Sequence, residues 1–129
     1  MLILDSFKSK SFKFIKCVFM ADFSNFSNLD IRVGKILEAN EFPEAKVPSY
    51  KLKVDFGSGI GIKNSSAHIT NYNIKDLEGK RVIGVVNFPP KQVGHFLSEV
   101  LILGVMTDSG VKLLSADDID NLELGSKIG

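Results

Sequence analysis

The segment "SYKLKVDFG" (residues 49–57) decides the fold class, because apolar and charged residues alternate along it. Leu52, Val54 and Phe56 occupy one face of an extended chain, and two lysines and an aspartate occupy the other. Alternation with a period of two is typical of a β-strand with one buried and one solvated face. The sequence therefore predicts a half-buried strand in a mainly β protein.

The preceding segment "DIRVGKILEA" (30–39) begins with the same alternation, through Ile31 and Val33. The next strongly apolar residue, Ile36, is out of that register, and Gly34 lies between the two halves. A β-bulge inserts one residue into a strand, resets its register and bends it, as small barrels require. We therefore predict a strand with a bulge at Gly34.

Two later segments, "RVIGVVNF" (81–88) and "LSEVLILGVM" (97–106), are apolar on both faces. In an antiparallel sheet such strands need cover on both sides. A barrel interior covers one face, and the other must meet a terminal segment or a second subunit. This pattern predicts a homodimer, with Val100 and Ile102 at the dimer interface.

The segment "NIKDLEGKR" (73–81) has the pattern of a short helix that ends at Gly79. Together with the strands and the bulge, it predicts an all-β fold. The expected architecture is a five-stranded Greek-key barrel of the OB type, with a short helix between strands 3 and 4 and small terminal elements.

The whole-chain composition is that of one globular domain, with 129 residues, 44% hydrophobic and 24% charged. The single cysteine, Cys17, excludes an internal disulfide and suits a reducing compartment, so we predict a cytoplasmic protein. No apolar run approaches the roughly 18 residues of a membrane span, and none is predicted. With a net charge of +1, nucleic-acid binding would have to come from a local patch of charge.

The first segment, "MLILDSFKSKSFKFIKCVF" (1–19), contains four lysines and one acidic residue. Its lysines interrupt every apolar stretch, which disfavours a secretory leader. An amphipathic surface helix remains an alternative. We predict a disordered extension, or upstream sequence ahead of a true start at Met20, and a single domain over residues 20–129.

A catalytic or metal site is not predicted. Ser65 and Ser66 have His68 nearby, but a serine nucleophile needs a base held by a third group, and a hydroxyl-rich strand is the favoured interpretation. His68, His95 and Cys17 lack metal-ligand spacing. We therefore expect neither a metal nor a cofactor.

Two loop motifs also have simpler explanations than ligand binding. "DDIDN" (117–121) lacks the glycine and the closing glutamate of a calcium loop, which predicts a solvated turn. "GSGIG" (57–61) resembles a phosphate loop, but a strand-like segment rather than a helix follows it. It therefore predicts a hairpin turn.

Five lysines lie on polar faces or loops of the predicted barrel: Lys46, Lys51, Lys53, Lys63 and Lys91. On OB barrels, strands 2 and 3 and the adjoining loops bind extended ligands. With so few lysines, a binding surface and an ordinary solvated face are equally good interpretations of this pattern.

Four ordered segments resemble the tRNA-binding domain family: "DIRVGKILEA" (30–39), "FPEAKVPSYKLKVDFG" (42–57), "GIKNSSAHIT" (61–70) and "VVNFPPKQVGHFLSEVLILG" (85–104). The family includes dimeric tRNA-binding proteins, C-terminal appendices of some methionyl-tRNA synthetases and the export chaperone CsaA. The resemblance runs from Asp22 to the C-terminus.

Within that family, two departures are similar to CsaA. "NFPPKQVGHFLSEVL" (87–101) carries Phe88-Pro89 where tRNA-binding members have a Leu-Lys pair, and "PEAKVPSYKL" (43–52) replaces their usual "PNADKL". The resemblance implies a non-enzymatic chaperone that binds unfolded or precursor polypeptides for export, with a translocase component as a further partner and some tRNA binding retained. The alternative is a dimeric tRNA-binding cofactor for structured RNA.

The resemblance also implies which residues bind the ligand. Ser98 matches a serine placed against tRNA in the family, Lys91 matches a nearby basic position, and Leu101 stands where methionine is usual. The Phe88-Pro89-Pro90 exchange makes the region more apolar, which suits an unfolded peptide. The full predicted set for RNA or peptide is Lys46, Lys51, Lys53, Lys63, Ser65, Ser66, Asn87, Phe88, Pro89, Pro90, Lys91, Gln92, Phe96, Ser98, Glu99 and Leu101.

Overall fold

The computed structural model describes residues 19–129, and it confirms a mainly β protein built on a nearly closed antiparallel barrel. The expectation for residues 1–19 lies, except for its last residue, outside the described residues. The elements in chain order are α1 (Phe23–Ser27), β1 (Ile31–Glu41), β2 (Tyr50–Asp55), β3 (Ile62–Ala67), a 3-10 helix (Ile74–Asp76), β4 (Arg81–Val85), β5 (Lys91–Val93), β6 (Phe96–Ser98), β7 (Leu101–Ile102), β8 (Gly104–Thr107), β9 (Gly110–Leu113) and a second 3-10 helix (Ile119–Asn121).

The main sheet has five antiparallel strands in the order β3-β2-β1-β4-β7. Two hairpins, β5-β6 and β8-β9, are attached to it. The chain from β6 to β7 returns to the free edge of β3, where the Glu99 amide donates to the Asn64 carbonyl over 2.8 Å. The two ends of the sheet therefore approach each other, and the barrel is nearly closed.

The alternation in β2 is confirmed. Leu52, Val54 and Phe56 are buried in the barrel interior, where they pack with Ile36, Leu77 and other apolar residues. The lysine side chains of β2 lie on the opposite face. One apolar stripe of period two is thus enough to fix which face of β2 forms the core.

The prediction of a bulge at Gly34 is wrong, because the register of β1 against β2 shifts between Ile36 and Glu38. Pairing of β1 with β4 is regular through Gly34. A Cβ built on Gly34 would lie 2.7 Å from the Phe56 ring, which is too close for a side chain. The absence of a side chain at Gly34 therefore leaves room for that ring in the core. Val33 and Ile36 are both buried because they lie on opposite faces of a strand covered on both sides.

The outer face of β4 is covered by terminal segments of the same chain. Ile83 and Val85 form a second apolar cluster with Ile31, against Leu29, Leu103, Leu114, Ile119 and Ile128. The sequence left two possible covers for this outer face, a terminal segment and a second subunit. On β4 the cover is a terminal segment. The burial of β4 therefore needs no partner.

The C-terminal segment is held in place by backbone and arginine hydrogen bonds. The Gly125 amide donates to the Val33 carbonyl and the Ile128 amide to the Ile31 carbonyl, both over 2.8 Å. Arg32 donates to the Gly125 carbonyl over 2.9 Å, and its hydrogen bond with Asp30 raises the pKa of its guanidinium. The segment acts as a short extra strand beside the first half of β1.

The predicted short helix and hairpin turn are present, whereas the predicted strand over 97–106 is divided among β6, β7 and β8 and is not buried on both faces. The expected short helix is the 3-10 helix that begins after Asn73, whose side chain accepts from the Lys75 amide over 3.0 Å. Gly57 and Gly61 form the β2-β3 turn with positive φ, as expected of the hairpin motif. Within residues 19–129, no helix is long and apolar enough to cross a membrane.

A candidate ligand-binding surface

One outer face of the barrel carries a ladder of polar cross-strand pairs. Lys53 lies opposite Asn64 and Lys51 lies opposite Ser66, and partners in such a pair point to the same side of the sheet. One position beyond the last β2-β3 pair, the exposed His68 contacts Ser49. We define the polar sheet face as Lys51, Lys53, Asn64, Ser66 and His68.

Two predicted site residues of β3 do not belong to that face. Ser65 lies opposite Leu52, is buried, and donates to the Val100 carbonyl over 2.9 Å. Lys63 lies opposite Val54, and its Nζ is 3.9 Å from Glu99 Oε2. Ser65 therefore holds the barrel together, and the charge of Lys63 is partly neutralised by Glu99.

Ser98 and Glu99 close the barrel with their side chains. Ser98 Oγ accepts from the Ser66 amide over 3.0 Å, and Glu99 Oε1 accepts from the Asn64 amide over 3.0 Å. These amides sit on the free edge of β3, where unpaired donors would otherwise have to face water or a ligand. Both predicted site residues therefore have a structural role, which sequence reasoning missed because their partners are over 30 positions away.

The β5-β6 hairpin and its two flanks carry several exposed apolar side chains, and we call residues 88–101 the apolar hairpin. Phe88 is 43% exposed, Leu97 44% and Leu101 48%. Pro89, Pro90, Lys91 and Gln92 are also exposed. The hairpin is regular, with Lys91 opposite Ser98 and Gln92 opposite Leu97. The segment that the sequence singled out thus displays both apolar and charged side chains.

Phe96 joins the apolar hairpin to the rest of the surface. Its ring packs edge-on against Phe42, with 5.5 Å between centroids. Lys51 Nζ lies 5.3 Å from the Phe42 centroid and 6.0 Å from that of Phe96, within the range of a cation–π contact. Phe42 was absent from the predicted set, and its position directly after the polar end of β1 gave the only signal.

The remaining predicted residues fall into three situations. Asn87 connects the end of β4 to the segment before β1, since its Oδ1 accepts from the Asp30 amide over 2.9 Å and its Nδ2 donates to the Asn28 carbonyl over 2.8 Å. Lys46 is exposed on the loop between β1 and β2. Val100 is buried in the barrel core and Ile102 is half-buried against it, so neither side chain forms an exposed surface in the single chain.

Other concave or acidic regions lie elsewhere. A cavity of about 530 Å³ is lined by Tyr72, Lys80, Arg81, Leu113, Ile119 and their neighbours, and it includes none of the predicted site residues. Across residues 19–129, no three His, Cys, Asp or Glu side chains are grouped as a metal site would require.

Comparison with known proteins places this geometry in a family. The family described as "Putative tRNA binding domain" matches residues 31–127. The crystal structure of the CsaA chaperone protein from Picrophilus torridus is 55% identical, with a TM-score of 0.80, over 85% of this chain and 100% of that one. The chaperone CsaA from Bacillus anthracis is 46% identical, with a TM-score of 0.76, over 85% of this chain and 99% of that one.

Curated relatives share the same domain within longer proteins. A methionine–tRNA ligase of Methanococcus maripaludis is 35% identical over 126 residues, which are 94% of this chain and 18% of the ligase. This chain therefore spans about a fifth of the length of such relatives. The ligases share only their tRNA-binding portion with it. On the match over residues 31–127, the chain belongs to the tRNA-binding domain family.

Proposed function

We propose that this protein is a non-enzymatic chaperone of the CsaA type that binds unfolded or precursor polypeptides before export from the cytoplasm. The observation that carries the proposal is the apolar hairpin, with Phe88, Leu97 and Leu101 each more than 40% exposed. The similarity to two proteins named as CsaA chaperones supports it.

The physical basis is exposed apolar surface next to charge. Full burial of one such side chain against a ligand stabilises a complex by about 1.5–3 kcal/mol. Pro89 and Pro90 restrict the backbone that leads into the hairpin, so less conformational entropy is lost on binding. Lys91 lies in the same element and suits segments of mixed composition. A translocase component is a further partner in this proposal.

The proposal includes a homodimer, on grounds that differ from those of the sequence. The β4 face is covered within the chain, but Val105 and Met106 of β8 are 52% and 86% exposed. Large apolar side chains exposed to this degree are candidates for an interaction site. Sedimentation of residues 20–129 tests this directly, and a monomer at micromolar concentration would remove the dimer from the proposal.

tRNA binding is the second candidate, and the polar sheet face favours it. Lys51 and Lys53 lie on strand 2 of the barrel, beside Asn64 and Ser66 on strand 3. OB barrels bind extended nucleic acids on this face. With about three to five lysines engaged, log affinity should fall against log salt with a slope of roughly −2 to −5.

Side-by-side binding of an unfolded polypeptide and bulk tRNA, at two salt concentrations, tests both candidates. The chaperone proposal expects polypeptide binding that changes little with salt, because apolar burial carries it. Salt-sensitive tRNA binding without polypeptide binding would replace the chaperone by the RNA-binding function.

A further inference from the structure

A buried serine, Ser49, and an exposed histidine, His68, form a hydrogen-bonded pair at the end of the polar sheet face. Ser49 is 4% exposed, and its Oγ lies 2.7 Å from His68 Nδ1. The same Oγ donates to the Val47 carbonyl over 2.8 Å. A serine hydroxyl has one proton, and a carbonyl oxygen can only accept.

That arrangement favours one tautomer of His68. With the Ser49 proton donated to the Val47 carbonyl, Ser49 Oγ can only accept from His68, and Nδ1 of His68 is then the protonated nitrogen. In the neutral imidazole, the other nitrogen, Nε2, is then a hydrogen-bond acceptor. The ring is anchored through its Nδ1 side while the side chain remains exposed.

The position of His68 continues the ladder. Lys53–Asn64, Lys51–Ser66 and Ser49–His68 follow one another along the β2 and β3 strands at every second residue. Successive rungs are about 7 Å apart, from the rise of an extended chain. A ligand that lies along the two lysines therefore reaches His68 without leaving this face.

We propose that His68 is a specificity residue for RNA on the polar sheet face, with Nε2 accepting a hydrogen bond from an RNA hydroxyl or amino group. The inference rests on the tRNA-binding candidate function. Phosphate oxygens have no proton to donate, so a neutral acceptor selects ribose 2′-hydroxyls or base amino groups instead. The lysines supply sequence-independent attraction, and His68 adds discrimination. Ser49 is a positioning residue.

The test compares His68→Ala, His68→Gln and Ser49→Ala with the parent, at about pH 8, where imidazoles are ordinarily neutral. The probe is bulk tRNA, and Ser115→Ala, which changes an exposed serine by the distant cavity, is the control. His68→Ala should weaken tRNA binding about three- to tenfold, the effect of one hydrogen bond. The salt slope should stay unchanged, because no cation is lost. His68→Gln, which retains an acceptor, should recover part of the affinity.

Two further measurements separate positioning from a merely structural role. The imidazole 15N spectrum of the parent should show a protonated Nδ1 and an unprotonated Nε2, and Ser49→Ala should lose that preference and bind tRNA about two- to threefold more weakly. An RNA oligonucleotide and its DNA counterpart identify the donor. An effect of His68→Ala on RNA alone indicates the 2′-hydroxyl, and an equal effect on both indicates a base amino group.

The inference is overturned, while the tRNA-binding candidate function stands, if the parent binds tRNA and a folded His68→Ala binds it equally well. It is overturned in the same way if Nε2 is the protonated nitrogen in the parent. It is also overturned if His68→Ala weakens only the binding of an unfolded polypeptide. A parent that does not bind tRNA overturns both this inference and the tRNA-binding candidate function.

Discussion

The polar sheet face and the apolar hairpin meet on one barrel, but they are built in different ways. The polar sheet face lies on two long paired strands, and the register of β2 with β3 sets the position of each side chain. The apolar hairpin is built around two three-residue strands outside the main sheet, and its Phe88 and Leu97 are each more than 40% exposed. A regular strand pair suits polar contacts at fixed spacing, whereas an element with exposed apolar side chains suits ligands of varied sequence.

The two regions are in contact with each other. Lys51 of the polar sheet face lies near the Phe42–Phe96 pair at the base of the hairpin. The side chains of Ser98 and Glu99 also accept hydrogen bonds from backbone amides on the edge of β3. Substitutions can therefore show whether the two surfaces bind their ligands independently.

The largest effect is expected where the two regions join. Val100→Asp places a carboxylate in the barrel core, and an unpaired buried charge costs several kcal/mol, comparable with the stability of a small domain. The variant should not give a folded protein by circular dichroism. Leu101→Asp, its exposed neighbour, is the control and should melt within a few degrees of the parent. A stable Val100→Asp protein would contradict the placement of Val100 in the core.

The second effect isolates the polar sheet face. Lys51→Glu combined with Lys53→Glu should weaken tRNA binding at least tenfold and flatten the salt slope by roughly 1.5–2, because two phosphate contacts are lost. Binding of unfolded polypeptide should change less than about threefold. Lys75→Glu with Lys112→Glu is the control, since it makes the same charge change elsewhere on the exposed surface. Equal loss of both ligands would mean that the two surfaces form one site.

The third effect isolates the apolar hairpin. Phe88→Ser should weaken polypeptide binding about tenfold, since about 1.5 kcal/mol of burial is lost, and should leave tRNA binding unchanged. Phe23→Ser removes an exposed phenylalanine from α1 and serves as the control. Phe96→Ser is a different experiment, because Phe96 packs on Phe42 and its loss should also lower the melting temperature. Undiminished polypeptide binding by Phe88→Ser would remove Phe88 from the proposed site.

The smallest effect concerns the closure of the barrel. Glu99→Gln keeps an acceptor for the Asn64 amide and loses only the ion pair with Lys63, whose partly exposed atoms are 3.9 Å apart. The free energy of unfolding should fall by about 0.5 kcal/mol or less. Glu99→Ala also loses the hydrogen bond and should cost about 1 kcal/mol more. Denaturant titration measures both, and equal stabilities of the two variants would contradict a closing role for Glu99.

Sequence reasoning succeeded where a signal was local. The alternation of residues 49–57 gave the buried face of β2, the glycines of "GSGIG" gave a turn, and "NIKDLEGKR" gave a short helix. Each depends on a few consecutive residues and on backbone preferences that tertiary structure did not override. The same reasoning placed the bulge at the wrong residue of β1, because it assumed one buried face where there are two.

The binding surface was predicted less well than the fold, because the type of a residue does not reveal which way its side chain points. Lys51, Lys53 and Ser66 share the polar sheet face as expected, but Ser65 points into the core. Asn87, Ser98 and Glu99 use their polar atoms on backbone groups of distant parts of the chain. Which side chains remain available to a ligand depends on these non-local hydrogen bonds.

The sequence by itself determined the mainly β class, the buried face of β2, the β2-β3 turn and the family, because periodicity and ordered motifs are local properties of the chain. Only the tertiary structure decided that Gly34 makes room for Phe56, and that the C-terminal segment covers the outside of β4. It also decided that Ser98 and Glu99 close the barrel on β3. The physical reason is that close packing and the pairing of buried polar groups involve residues far apart in the chain, which only the folded structure brings together.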